Sequence, residues 1–352
     1  MDSRERVYKT LKFERPDRAP RDLWIIPAVE TFRLPELEAV LDRFPMDFAF
    51  PNGCRAWNMG HEAEGLDPSL LFRYGPSKRA AGIPWEGAYV DAWGCEFVTA
   101  ESGVLGEVKN PPLADWSTLD HFSPPWEILE RAQWHAVNRF CAATNKFVLS
   151  PPAFSVFERL QFLRGTEALF MDLAYGASEV FKLRDMVHEF NLKMLELWCQ
   201  TDVDGIGWTD DWGSQTQLLI SQMMWREIFK PLYADYCAMI HAAGKFAFMH
   251  SDGHIAALIP ELIEIGVDAL NSQLFCMDIE NLGRKFKGQI TFWGEIDRQH
   301  VLPFGKPDDV REAVRRVRRA FDSGNGGVIT QLQFGKYDPR ENIEAAFEAW
   351  LE

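Results

Sequence analysis

The chain has 352 residues, 47% hydrophobic and 25% charged, enough to bury a large core either as one barrel with an insertion or as two ordinary domains. Its formal charge of −15 repels phosphate backbones, and the run Arg311, Arg315, Arg316, Arg318, Arg319 has helical spacing, so nucleic acid is not expected as a partner. No run of about 18 apolar residues occurs, and the opening Met1-Asp2-Ser3-Arg4-Glu5-Arg6 leads into an amphipathic helix, so neither a membrane span nor a signal peptide is expected.

From the N-terminus onward, short apolar runs that end in Pro, Gly, Asn, Asp or Ser and give way to helical periodicity mark βα units. Eight such runs occur, at 21–26, 47–50, 146–149, 203–208, 245–250, 267–271, 289–293 and 327–331. Amphipathic helical stretches fall at 158–163, 178–199, 225–243, 255–265, 278–286, 307–323 and 342–351. Eight alternations predict an α/β chain folded as a closed (β/α)8 TIM barrel rather than an open doubly wound sheet, in one domain over 1–352, and no GxGxxG follows the first run. The exception to short connections is an insertion at about 53–134, between strands 2 and 3. Within it, 87–98 alternates and returns through Gly106-Glu107-Val108, which predicts a β-hairpin. Insertions of this kind act as lids or oligomer contacts, which leaves a homodimer open.

Cysteines 54, 95, 141, 199, 237 and 276 form no CxxC pair and read as reduced thiols, which suits the cytoplasm. Thirteen Trp and 26 Phe could line a flat substrate pocket, although filling the space between helices and sheet is the commoner use of such residues.

In a barrel the reactive groups sit where strands hand over to βα loops. Strand four is followed by Thr209-Asp210-Asp211-Trp212-Gly213-Ser214-Gln215, and strand five ends in His250-Ser251-Asp252-Gly253-His254. Strand six ends in Asn271-Ser272-Gln273 with Cys276 behind it, strand seven in Gly294-Glu295-Ile296-Asp297-Arg298-Gln299, and strand eight in Gln331-Leu332-Gln333. Each has a structural reading as well: Asp210, Asp211 or Asp252 can cap a helix, Gln215 can brace a loop, and Cys276 can be a packed thiol. His250 shares its strand face with Phe246 and Phe248, so it is expected inside the barrel, where an imidazole is unusual filler. His250, Asp252, Cys276 and Glu295 together could hold Zn2+, with His250 and Asp252 converging because residues i and i+2 share a face. The carboxylates of Asp210, Asp211, Asp252 and Glu295 could instead work as general acid and base with His250, while Trp212, Gln215, Asn271, Gln273, Asp297, Gln331 and Gln333 orient a small-molecule substrate.

A series of motifs runs through the chain in order: Arg4-Glu5-Arg6-Val7 with Pro16-Asp17-Arg18-Ala19-Pro20, Asp91-Ala92-Trp93-Gly94-Cys95, Asp210-Asp211-Trp212-Gly213, and Phe229-Lys230-Pro231-Leu232-Tyr233. It continues with His250-Ser251-Asp252-Gly253, Gly266-Val267-Asp268-Ala269-Leu270-Asn271, Gly294-Glu295-Ile296-Asp297 and Gly326-Gly327. This series resembles the uroporphyrinogen decarboxylase superfamily, and within it the branch of zinc-dependent methyltransferases that work with corrinoid (cobalamin) proteins. The decarboxylases carry an Arg-Gln-x-Gly-Arg motif near the first strand for substrate propionates, and Arg21-Asp22-Leu23-Trp24 does not supply it. The resemblance implies zinc ligands from a His-x-Cys at strand five and a further Cys near strand eight. Here the His is His250, while Asp252 and Leu332 stand at the two Cys positions.

The leading expectation is therefore a methyltransferase-like enzyme moving a methyl group between a small methylated substrate, or a corrinoid protein, and an acceptor, with a metal at His250, Asp252 and Cys276 or Glu295. The alternative is a metal-free lyase that decarboxylates a tetrapyrrole or aromatic carboxylate, with Asp210 or Asp211 as its acid. A third is a corrinoid- or tetrapyrrole-binding barrel without catalysis.

Overall fold

The computed structural model describes residues 1–51, 87–99, 106–131 and 134–352. Each of the eight anticipated runs overlaps a strand of a parallel sheet. They are β1 (Arg21–Ile25), β2 (Phe48–Ala49), β6 (Phe147–Val148), β7 (Gly205–Thr209), β8 (Phe246–Ser251), β9 (Ala269–Ser272), β10 (Thr291–Trp293) and β11 (Val328–Phe334). The order β1-β11-β10-β9-β8-β7 forms one six-stranded sheet, and β2 pairs with β6 in a second. Backbone contacts join the small sheet to both edges of the large one. Asp47 N donates to Arg21 O at 2.9 Å on one side, and on the other Asp204 N donates to Val148 O at 2.8 Å beside a parallel bridge from Leu149 to Gly205. The result is a curled parallel α/β sheet consistent with the expected (β/α)8 barrel.

Alternation sorts the side chains into two cores. The inner face gathers Trp24, Phe48, Phe147, Leu149, Phe248, Ala269, Trp293 and Ile329, and the helix Ser3–Leu11 seals it from below with Val7 and Leu11. Strand β7 contributes glycine to this filling because a Cβ on Gly205 would stand 3.0 Å from the Phe248 ring and 3.2 Å from Leu149. The outer face and the helices share the larger core, which includes Ile206, Trp208, Met249, Leu270, Phe292 and Leu332.

The N-terminal motif with its paired arginines builds the closed end. Asp47, fully buried, accepts from Ser3 Oγ (2.8 Å), Arg6 (2.6 Å), Arg18 (2.7 Å) and Arg21 N (2.7 Å). Arg6 also meets Asp17 at 2.6 Å, and Asp204 takes Arg4 Nε at 3.1 Å, Tyr8 Oη at 3.0 Å and Val148 N at 2.7 Å.

Two helices differ from their anticipated extents. The stretch 225–243 is divided into Gln222–Ile228 and Lys230–Ala242, because Pro231 has no N–H to continue the first ladder and is suited to a first turn. The stretch 255–265 is helical only over Ile259–Ile265, again starting beside a proline. The anticipated hairpin is present as β3 (Gly87–Val90) and β4 (Glu96–Thr99), extended to three antiparallel strands by β5 (Glu107–Asn110). The rest of the anticipated insertion, at 53–86, 100–105 and 132–133, lies outside the described residues, as does Cys54. The other five cysteines are free thiols. The arginine-rich helix, Pro307–Phe321, spends its charges on Asp308, Glu348, Glu352, Glu280 and Glu312 rather than presenting them as an open basic face. Among the described residues, no helix is long and apolar enough to cross a membrane.

Candidate functional site at the C-terminal rim

The inner-face positions of β8 run Phe246, Phe248, His250, and the same alternation carries on to Asp252. His250 is 5% exposed and packs against Trp24 from β1, the two ring centroids 5.2 Å apart and their planes tilted by 59°. Its Nδ1 meets Asn271 Oδ1 of β9 at 2.6 Å, and its Nε2 lies 3.4 Å from Asp211 Oδ1 and 3.5 Å from Asp252 Oδ1. Burial would lower the imidazole pKa, but Asp252, Asp211 and Asn271 outweigh it and the net shift is upward.

Asp211 and Asp252 come from neighbouring loops held in backbone contact. A Cβ on Gly213 would stand 2.6 Å from the Gly253 carbonyl carbon, so only two glycines permit this approach. Gly213 N then donates to Asp252 O (3.2 Å), His254 N to Ser214 O (2.7 Å) and Asp252 N to Asp211 Oδ1 (2.9 Å). Gln273 braces the same loops, its Oε1 accepting from Gly253 N (2.9 Å) and Gln215 Nε2 (3.2 Å).

From the β10 loop, Glu295 is 4% exposed and Arg298 reaches over the mouth. The Arg298 guanidinium pairs with Asp252 Oδ2, donates to Gln333 Oε1 at 2.9 Å and stands 3.6 Å from Glu295 Oε1. Burial, only partly offset by Arg298 and reinforced by Asp252, pushes the Glu295 carboxyl up to about 8, which favours its protonated form. Beneath, Asp22 accepts from the indoles of Trp24 and Trp293, both at 2.9 Å, and burial raises its pKa to about 6.

The structure thus brings together Asp211, His250, Asp252 and Glu295, with Asn271, Gln331 and Gln333 around them; Asn271 Nδ2 donates to Gln331 Oε1 at 3.0 Å. Three expected site residues lie elsewhere. Asp210 continues the outer face after Ile206 and Trp208, and its carboxylate accepts from Val156 N (2.8 Å), Glu158 N (2.9 Å) and Tyr233 Oη (2.6 Å), capping the helix Phe157–Arg164. Trp212 is 1% exposed and stacks at 4.1 Å on Phe157, inside the outer core rather than facing a substrate. Asp297 caps the next turn, accepting from Gln299 N and His300 N, each at 2.9 Å. Arg298 and the pair Asp22 with Trp24 were not singled out from sequence; an arginine three residues after Glu295 in one rim loop was the available signal.

The thiolate set that the resemblance implies is not reproduced. Leu332 is buried in the outer core, facing away from the mouth. The Cys276 thiol donates to Gln273 O at 3.1 Å, burial raises its pKa to about 11, and it is not among the atoms that converge on His250. Those atoms are Asp211 Oδ1, His250 Nε2 and Asp252 Oδ1, all within 4.8 Å of one another. The residues therefore do not fit a thiolate-held zinc.

A curled parallel sheet with polar side chains converging at the C-terminal rim is the architecture of barrel-type enzymes. Residues 89–350 match the family of uroporphyrinogen decarboxylase (URO-D), and the chain belongs to that family. Among solved structures, a methyltransferase from Methanosarcina mazei is similar with a TM-score of 0.71 and 14% identity over 99% of this chain and 98% of that one, a likeness of fold. An endo-beta-1,4-xylanase from Gloeophyllum trabeum follows at a TM-score of 0.44 and 10% identity, covering 96% of this chain and 98% of its own. No curated protein matches the chain.

Proposed function

We propose that this chain is a methyltransferase-like enzyme with a complete (β/α)8 barrel, moving a methyl group between a small methylated substrate, or a corrinoid protein, and an acceptor. The observation that carries this reading is the buried Glu295 carboxyl set beside Arg298, Asp252 and His250 at the rim. A methyl group leaves oxygen or nitrogen readily only when the negative charge that builds on the heteroatom is neutralised, as by a proton. In the proposed step the acceptor's electron pair forms the new bond to the methyl carbon and the old carbon–heteroatom bond breaks. The heteroatom keeps that pair and takes the proton that Glu295 holds at neutral pH. Arg298, 3.6 Å away, then balances the carboxylate left behind. Asn271, Gln331 and Gln333 orient the substrate, while Trp24 and Trp293 keep the floor of the site dry. A corrinoid protein would enter as the methyl donor or acceptor. No step is assigned to zinc.

The family match keeps decarboxylation of a tetrapyrrole or aromatic carboxylate as the second reading, with Asp211 as its acid now that Asp210 is a cap. One experiment separates the readings. The protein is incubated with cob(I)alamin and methanol, methoxybenzene, methylamine or dimethyl sulfide, and in parallel with porphyrinogens and benzoates, following methylcobalamin by absorbance and released CO2. Methylcobalamin formed over many turnovers supports methyl transfer. CO2 release without it overturns methyl transfer in favour of the lyase, and neither product leaves a binding protein.

A further inference from the structure

We propose that Asp211, His250 and Asp252 form a binding site for a divalent cation that takes nitrogen and oxygen donors, such as Mn2+, in place of a thiolate-held zinc. This deepens the reading of the rim as the reaction site, but it concerns equilibrium binding alone. The three donor atoms lie within 4.8 Å of one another. Bonds of about 2.0–2.2 Å to imidazole and carboxylate put the ligands of one ion roughly 3–4.4 Å apart, so little movement is needed to close on a cation.

Two observations besides the spacing of the donor atoms point the same way. The first is the setting of His250. Asn271, fully buried, donates through Nδ2 to the main-chain oxygen of Trp293 and to Gln331 Oε1. A backbone carbonyl can only accept, so the amide has one orientation, and its Oδ1 faces His250 Nδ1 at 2.6 Å. Nδ1 therefore carries the hydrogen, and in the neutral ring the electron pair sits on Nε2, the nitrogen facing both aspartates. Metal-binding histidines are held in this way, with the second ring nitrogen donating to a fixed oxygen. The second is Asp252. Its Oδ2 is paired with Arg298, yet its Oδ1 is buried with no hydrogen bond and lies 3.5 Å from His250 Nε2. A buried carboxylate oxygen in that state calls for a positive partner, a role that either protonated His250 or a cation bound to neutral His250 fills. With one imidazole and two carboxylates, the soft-ligand preference of thiolate sites is lost. Arg298 occupies the same carboxylate from outside, so it competes with an ion rather than helping to bind it.

The test is titration of the metal-stripped protein with Mn2+, reading free ion by electron paramagnetic resonance, and with Co2+, reading the absorption spectrum. The expected result is one Mn2+ per chain, weakened at least about tenfold in Asp211→Asn and about 10–100-fold in Asn271→Leu. Arg298→Gln is expected to bind Mn2+ more tightly, an outcome that misfolding cannot imitate. The Co2+ spectrum should lack a thiolate charge-transfer band and be unchanged by Cys276→Ser. The proposal is overturned by absence of saturable binding, by unchanged affinity in Asp211→Asn, or by a thiolate band that Cys276→Ser abolishes. Saturable Mn2+ binding without methyl transfer would sink the proposed reaction and leave this site standing.

Discussion

Asp47 at the closed end of the sheet and Glu295 at its open rim are both buried carboxyl groups, and their surroundings treat them in opposite ways. Asp47 is met by two arginines, a serine hydroxyl and a backbone N–H, so its charge is fully answered. Glu295 has one guanidinium at 3.6 Å, shared with Asp252, and burial keeps it protonated up to about 8. The same residue class is cement at one end and, in the proposed reaction, a proton donor at the other. What separates them is how completely the donors nearby are matched to the acceptors.

The strongest way to break this contrast is Glu295→Gln. If Glu295 delivers a proton, methyl-transfer turnover should fall by about 10²–10⁴-fold, with a thermal melt close to that of the parent. In the parent, turnover should decline as the pH rises through about 8. Stability follows the same group. Its folded pKa of about 8 stands above the ordinary 4.5, so the folded protein holds a proton that the unfolded chain releases between those values. Stability should therefore fall as the pH rises from about 4.5 to about 8, and urea titrations across that range should show the slope flattened in Glu295→Gln.

Asp47→Ala is the converse experiment. It removes one of the two carboxylates that meet buried Arg6 and leaves the Arg21 N–H without its acceptor, and should cost about 1–3 kcal/mol in urea unfolding, while the protein that remains folded keeps its turnover. A fall in turnover without a fall in stability would show that the two ends are not functionally separate. The third experiment sharpens the comparison within a single dipeptide. Asp210→Asn loses part of its hold on Val156, Glu158 and Tyr233 and should cost about 1–3 kcal/mol by thermal or urea denaturation, with turnover altered only as far as folding is. A large loss of turnover at unchanged stability would restore Asp210 to the reaction.

Much of the fold was legible because its signals are local. The eight strand-bearing runs were marked by apolar stretches ending in turn-forming residues, and the hairpin by alternation around Asp91-Ala92-Trp93-Gly94. The division of 225–243 was also readable, since Pro231 breaks any helix that tries to pass through it. At the site, His250 and Asp252 followed from the two-residue period. The same period would have separated Asp211 from Asp210, because Ile206 and Trp208 already mark the even positions as outward. What sequence could not supply were contacts between distant segments. Asp210 caps a helix more than fifty residues earlier in the chain, as the bond from Glu158 N shows. Arg298 owes its role to Asp252, 46 positions away, which no pattern within its own loop announces.

The contact between Gly213 and Gly253 has a consequence for anyone wishing to redesign this mouth. A methyl on Gly213 would run into the Gly253 backbone of the neighbouring loop at 2.6 Å, so the loops bearing Asp211 and Asp252 are welded into one piece and cannot be diversified separately. Variation that retunes substrate choice has its room instead on the opposite bank, around Arg298 and Gln333, where side chains rather than bare backbone make the contacts.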